Sequence, residues 1–179
     1  TATKDGTKTA RCDNGCGTKN TVVDKGSKKT NPSQSPKIKI GQKLQNSVGV
    51  RCAITGKNTA ECIGYVGKKN SVTIPPSLKY MGVTYQITSI KTKAFSGNKN
   101  LRSIVIPSSI RTIGSQAFFN CKNLRNITIK TPYLSKKTVG AKAFKGIHAK
   151  AKIKVPKKQK KAYQKLLKAK GAGKKVTIK

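Results

Sequence analysis

The chain has 179 residues, with forty Lys or Arg against four Asp or Glu and a formal net charge of +36. Catalysis by paired carboxylates has almost no material, because the acids are Asp5, Asp13, Asp24 and Glu61 and the single histidine is His148. No apolar run approaches the ~20 residues that span a bilayer, so membrane insertion is not expected.

Residues 1–24 are polar and carry Cys12 and Cys16 around Asp13-Asn14-Gly15, residues that accept a tight turn. A small Cys-pair module is predicted there. Residues 25–43 hold Pro, Ser and Lys with little apolar material and read as a linker. The main body is then residues 44–179.

From 48 to 66 a hairpin is predicted, turning at Gly56-Lys57-Asn58. With Lys57 at its centre, Cys52 and Cys62 face each other. Opposed Cβ atoms at ~4.5–5.5 Å are close to disulfide reach, so a bond and two buried free thiols both remain open. The hairpin would cover the open end of a stack, as terminal repeats must.

Apolar-x-apolar triplets follow: Val72-Thr-Ile74, Ile104-Val-Ile106, Ile127-Thr-Ile129, Ile153-Lys-Val155 and Val176-Thr-Ile178. Period-two alternation sends the outer members of each triplet into one face and the middle one out. Their spacing of 32, 23, 26 and 23 residues predicts one strand per repeat in a parallel sheet, with insertions at Lys79–Tyr85 and Tyr133–Lys137. Eight residues from Ile87 to Ile106 recur at an offset of 23 between Ile110 and Ile129. A period in the twenties signals a solenoid, of about four repeats plus caps. Short helical or irregular returns carry Ala94-Phe95, Ala117-Phe118 and Ala143-Phe144, whose rings should fill the space between layers. Pro156 opens a predicted C-terminal cap helix with the stripe Ala162, Tyr163, Leu166, Leu167 and Ala169, stopped by Gly171.

The ordered recurrence of Ile-x-Ile-Pro (Val72-Thr-Ile74-Pro75, Ile104-Val-Ile106-Pro107), Ile113-Gly114, Ala-Phe and Cys121-x-x-Leu124 resembles the BspA-like leucine-rich repeats of bacterial surface proteins. The match covers about residues 44–179. The ending from Val139 to Lys179 looks like the Lys-rich C-terminal repeat of surface proteins from Gram-positive anaerobes, and Thr1–Gly17 like a short Cys-pair module found beside such repeats. The resemblance implies a right-handed, β-rich α/β leucine-rich-repeat superhelix, exported and cell-associated, that binds proteins or host surfaces. The lack of an initiator Met and of a signal-peptide apolar stretch reads as a processed or truncated piece of a longer protein.

No cofactor and no resident metal are expected. Cys12 and Cys16 suit a local disulfide, free thiols, or half of a zinc site completed elsewhere, since structural zinc wants four ligands. Cys121 reads as buried, structural and unpaired. If the triplets point inward, Ser71, Thr73, Ser103, Val105, Asn126, Thr128, Lys152, Lys154, Lys175 and Thr177 share one outward, concave row, grading from hydroxyl to Lys. That row is either a binding site or simply the solvated side of the sheet. A large positive field attracts polyanions. Nucleic acid is disfavoured, because only five of the forty basic residues are Arg and the phenylalanines are claimed by the core. Surface proteins, anionic wall polymers or acidic glycans fit better. The leading function is a non-enzymatic adhesion or binding module. A wall-targeting appendage of a larger enzyme and a nonspecific nucleic-acid binder are the alternatives, which a domain upstream of Thr1 and a salt titration on DNA would separate.

Overall fold

A computed structural model describes residues 39–179. The Cys-pair module with Cys12 and Cys16, and the linker up to residue 38, lie outside the described residues.

Strand β1 (Lys43–Gln45) runs antiparallel to β2 (Val50–Gly56), which turns at Lys57-Asn58 into β3 (Thr59–Tyr65). Gly56 pairs with Thr59, so the turn is one residue tighter than predicted. Cys52 does face Cys62. Next come β4 (Ser71–Thr73) and a hairpin of β5 (Ser77–Tyr80) and β6 (Val83–Ile90), joined through Met81 and Gly82 with φ of 48° and 77°. Two successive positive φ values give the primed turn whose twist suits a two-residue hairpin. The predicted insertion is therefore an added pair of strands.

Beyond it lie β7 (Ser103–Ile106), β8 (Thr112–Ile113), β9 (Asn126–Ile129), β10 (Lys152–Lys154), a 3-10 turn at Lys157–Gln159, α1 (Lys160–Ala169) and β11 (Thr177–Ile178). The five predicted triplets pair in the order β4-β7-β9-β10-β11, all parallel. This parallel sheet is one of two. The other is mixed: β1-β2-β3-β6-β5, with β8 on β6. Its contacts are antiparallel except where β3, β6 and β8 run side by side.

Between the sheets sits one continuous core. Phe95, Phe118 and Phe144 are buried and stack ring on ring, with centroids 5.2 and 5.4 Å apart. The returns that carry them are turns, with no helix. Their backbones are laddered to the next coil: Phe95 N–H donates to Ala117 O, Phe118 N–H to Ala143 O and Phe144 N–H to Lys170 O. Keeping that ladder forces Lys93, Gln116 and Lys142 into the left-handed region at φ 54–58°, each two residues before its Phe. The same ladder explains the glycines after Ile113 and Val139. A methyl group at Gly114 would overlap the backbone of Thr92, and one at Gly140 that of Ser115.

Helix α1 buries Tyr163, Leu166 and Leu167, while Ala162 and Ala169 remain exposed. The buried stripe is thus narrower than predicted. Pro156 precedes the 3-10 turn, and Gly171 (φ 102°) follows the helix, where Ala172 N–H closes onto Leu167 O. Among the described residues, no helix is long and apolar enough to cross a membrane.

Candidate binding face on the parallel ladder

In a parallel ladder every strand sends its alternate residues to the same side, about 4.8 Å from their neighbours on the next strand. The register aligns Ser71, Ser103, Asn126, Lys152 and Thr177 in one row. A second row runs Thr73, Val105, Thr128 and Lys154. Its fifth member is not in the predicted set. Ile153 pairs with Ile178 rather than Val176, and Lys179 N–H donates to Ile153 O while Val155 N–H donates to Lys179 O. Lys179 therefore continues the Lys154 row, and Lys175 falls ahead of the strand, outside both rows.

Val176 and Ile178 are both apolar and both buried, so alternation alone fits either register. Of the remaining row residues, Ser103, Val105 and Thr128 are half-buried, and Ser71, Thr73, Asn126, Lys152, Lys154 and Thr177 are exposed.

At the C-terminal end of the rows a cleft of about 420 Å³ is lined by Ser103, Asn126, Ile127, Thr128, Lys152, Lys154 and Lys179. Lys152 and Lys154 stand on β10 and Lys179 directly follows β11, the strand beside it. Three ammonium groups thus share an opening whose other wall carries hydroxyl and amide groups, all capable of donating to an anion. Glu61, the single acidic side chain of the described residues, sits on β3 in the other sheet. The arrangement can bind negative charge.

The remaining cysteines lie elsewhere. Cys121 is buried, and its thiol donates to Phe95 O across 2.9 Å. Burial pushes that thiol up to about 11, against partial relief from the backbone at Asn98 and Gly97. It is buried and unpaired, as expected. His148 Nδ1 accepts from Lys150 N–H, closing the turn before β10.

Two other features escaped the sequence reading. Arg111 places its guanidinium 4.3 Å over the exposed ring of Tyr133. Tyr133 opens the second insertion and Arg111 lies 22 residues before it, close to one repeat, but no motif marks the two as partners. A second cleft, of about 530 Å³ and largely apolar, lies between β2 and β5 and is bordered by Leu44, Val50, Cys52, Leu78 and Tyr80.

The family model for the BspA type leucine-rich repeat region matches residues 75–179 with six copies, against the four or so repeats counted from the spacing. No curated protein matches. Among solved structures, a leucine-rich cell surface protein from Faecalibacterium prausnitzii is 22% identical with a TM-score of 0.51, over 65% of this chain and 37% of that one. A leucine-rich repeat protein from Bacteroides ovatus is 29% identical with a TM-score of 0.46, over 60% of this chain and 34% of its own. One from Bacteroides capillosus is 17% identical with a TM-score of 0.49, over 76% and 98%. The chain thus spans little more than a third of the first two proteins.

Proposed function

This chain belongs to the BspA-type leucine-rich-repeat family, and on that premise we propose that it is a non-enzymatic binding module, displayed on a bacterial surface or secreted. In this reading the coils form a right-handed superhelix, closed by the β2–β3 hairpin at one end and α1 at the other. Residues 44–179 act as one binding unit, with residues 1–24 as a separate module on a linker. The partner lies along the outward rows of the parallel sheet and carries negative charge, as an anionic wall polymer or acidic glycan does.

The observation that carries this reading is the meeting of Lys152, Lys154 and Lys179 at one cleft with Ser103, Asn126 and Thr128. Lys is a compact, strongly hydrated point charge without the planar fork of Arg. It therefore suits a flexible chain of repeated anions better than a fixed base edge. The test is titration with a glycerol-phosphate polymer, an acidic glycan and duplex DNA at low and physiological salt. The reading expects one of the first two to keep binding at physiological salt. DNA binding that equals or exceeds theirs, and collapses with salt in parallel, overturns it.

A further inference from the structure

The hairpin that opens the fold holds two cysteines directly across from each other. Cys52 on β2 pairs with Cys62 on β3. Both side chains fall on the buried face of their strands, where Cys52 is 2% exposed and Cys62 0%. The structure holds them as free thiols. We propose that Cys52 and Cys62 are a redox-modifiable pair, joined by a cross-strand disulfide that locks the hairpin cap.

Opposed residues in an antiparallel pair place their Cβ atoms at ~4.5–5.5 Å, and a disulfide needs ~3.5–4.5 Å. The remaining approach is small, and the ladder has slack where it is needed: register shifts flank the pair between Arg51 and Cys52 and again between Ile54 and Gly56. The two thiols are not equivalent. Cys52 borders the open cleft between β2 and β5, whereas Cys62 sits behind it in the core. A hydrogen bond from Cys62 holds the Cys52 thiol below its ordinary range, while the same bond, together with burial, pushes Cys62 up. Cys52, which lines the cleft, is thus the thiol nearer to a reagent that enters there and the one that ionises first, and Cys62 is the resolving partner.

The exchange needs a low-molecular-weight disulfide, RSSR. The Cys52 thiolate attacks one of its sulfurs, the S–S bond breaks, and RS⁻ leaves with the electron pair and takes up the Cys52 proton. Cys62 then loses its proton and attacks Cys52 Sγ, expelling the second RS⁻. The products are one internal disulfide and two RSH: both cysteines are oxidised and RSSR is reduced. Cys121 cannot compete, since its thiol is engaged with Phe95 O and is ionised only near 11.

The test uses the full chain, refolded from denaturant in a glutathione redox buffer, blocked with N-ethylmaleimide in denaturant and digested with trypsin. Cleavage after Arg51, Lys57 and Lys68 releases Cys52 and Cys62 on separate peptides, 52–57 and 58–68. The proposal expects these two joined, lighter by two hydrogens, and separated by dithiothreitol. It also expects the oxidised chain to melt several degrees above the reduced one, with no such difference in the Cys52→Ala/Cys62→Ala double variant. On native protein, Cys62→Ser should accumulate a glutathione adduct on Cys52 faster than Cys52→Ser does on Cys62. Maleimide on both peptides after refolding overturns the proposal, as does either cysteine bonded to Cys12, Cys16 or Cys121. The reverse order of adduct formation overturns the assignment of Cys52 as the attacking thiol. None of these outcomes depends on what the ladder face binds.

Discussion

The hydroxyl of Tyr163 donates to Thr131 O at 2.7 Å and accepts from Leu134 N–H at 3.0 Å. One side chain of the C-terminal helix thereby satisfies two backbone groups in the loop that interrupts the 23-residue spacing. Thr131, itself fully buried, anchors the other side of that loop by donating to Ile110 O. A loop placed inside a repeat array must find partners for its backbone, and this one finds them on a helix about thirty residues later. Tyr163→Phe keeps the packing and removes both bonds. Leaving buried backbone groups unpaired costs about 1–3 kcal/mol each, so the variant should lose roughly 2 kcal/mol or more in urea unfolding. A midpoint unchanged from the parent would mean the loop is not held by the helix.

Glycine substitutions should split into two groups. At Gly114 and Gly140 an added methyl meets the backbone of the preceding coil, which cannot move without breaking the ladder. Gly97, at φ 72°, has open space around it, so alanine there suffers only the left-handed backbone, about 1–2 kcal/mol. Gly114→Ala and Gly140→Ala should therefore lower the melting temperature clearly more than Gly97→Ala. Equal shifts would remove close approach of coils as the reason for those glycines.

Much of this architecture was legible in the chain. The triplets from Val72 to Ile178 state a period-two strand, their spacing states one strand per coil, and the recurring Ala-Phe states a shared spine. What stayed hidden depends on relations that leave no periodic mark. The β5–β6 hairpin had only Met81-Gly82 to announce it, and methionine is a poor signal of positive φ. Lys93, Gln116 and Lys142 adopt left-handed backbone because the neighbouring coil demands it, not because their side chains favour it. On the parallel ladder the rows were legible through Lys154. The last strand was not, since Val176 and Ile178 are interchangeable to alternation, and Lys179 was missed for Lys175.

Removing one ring from the stack should hurt most in the middle. Phe118 packs against Phe95 on one side and Phe144 on the other. Truncation of a buried Phe costs about 3–5 kcal/mol, and Phe118→Ala should sit at the top of that range, above Phe95→Ala. Measured unfolding free energies in the opposite order would mean that the stack does not carry the spine.

High pH gives a separate probe of the core. In the unfolded chain the Cys121 thiol ionises near 9.0; in the folded chain it stays protonated to about 11. The unfolded state therefore binds fewer protons in that window, and stability falls as pH rises through it. Burial likewise raises Tyr163 above 10.0, adding loss at still higher pH. The Cys121→Ala variant keeps every other titratable group of the parent, so the measurement is a difference. The stability advantage of the parent over Cys121→Ala should shrink between pH 9 and 11 and be flat below 9. A constant advantage across that range would show that the thiol ionises as freely folded as unfolded.

Anion binding at the ladder should depend on where the lysines stand rather than on how many there are. Lys152→Glu, Lys154→Glu and Lys179→Glu together reverse the cleft, and Lys57→Glu, Lys68→Glu and Lys69→Glu make the same change of charge by the hairpin. Affinity for a glycerol-phosphate polymer at physiological salt should drop about tenfold or more with the first set, a change of ~1.4 kcal/mol or greater, and far less with the second. Equal losses from both sets, or none from the first, would mean that the ladder face is not the binding site.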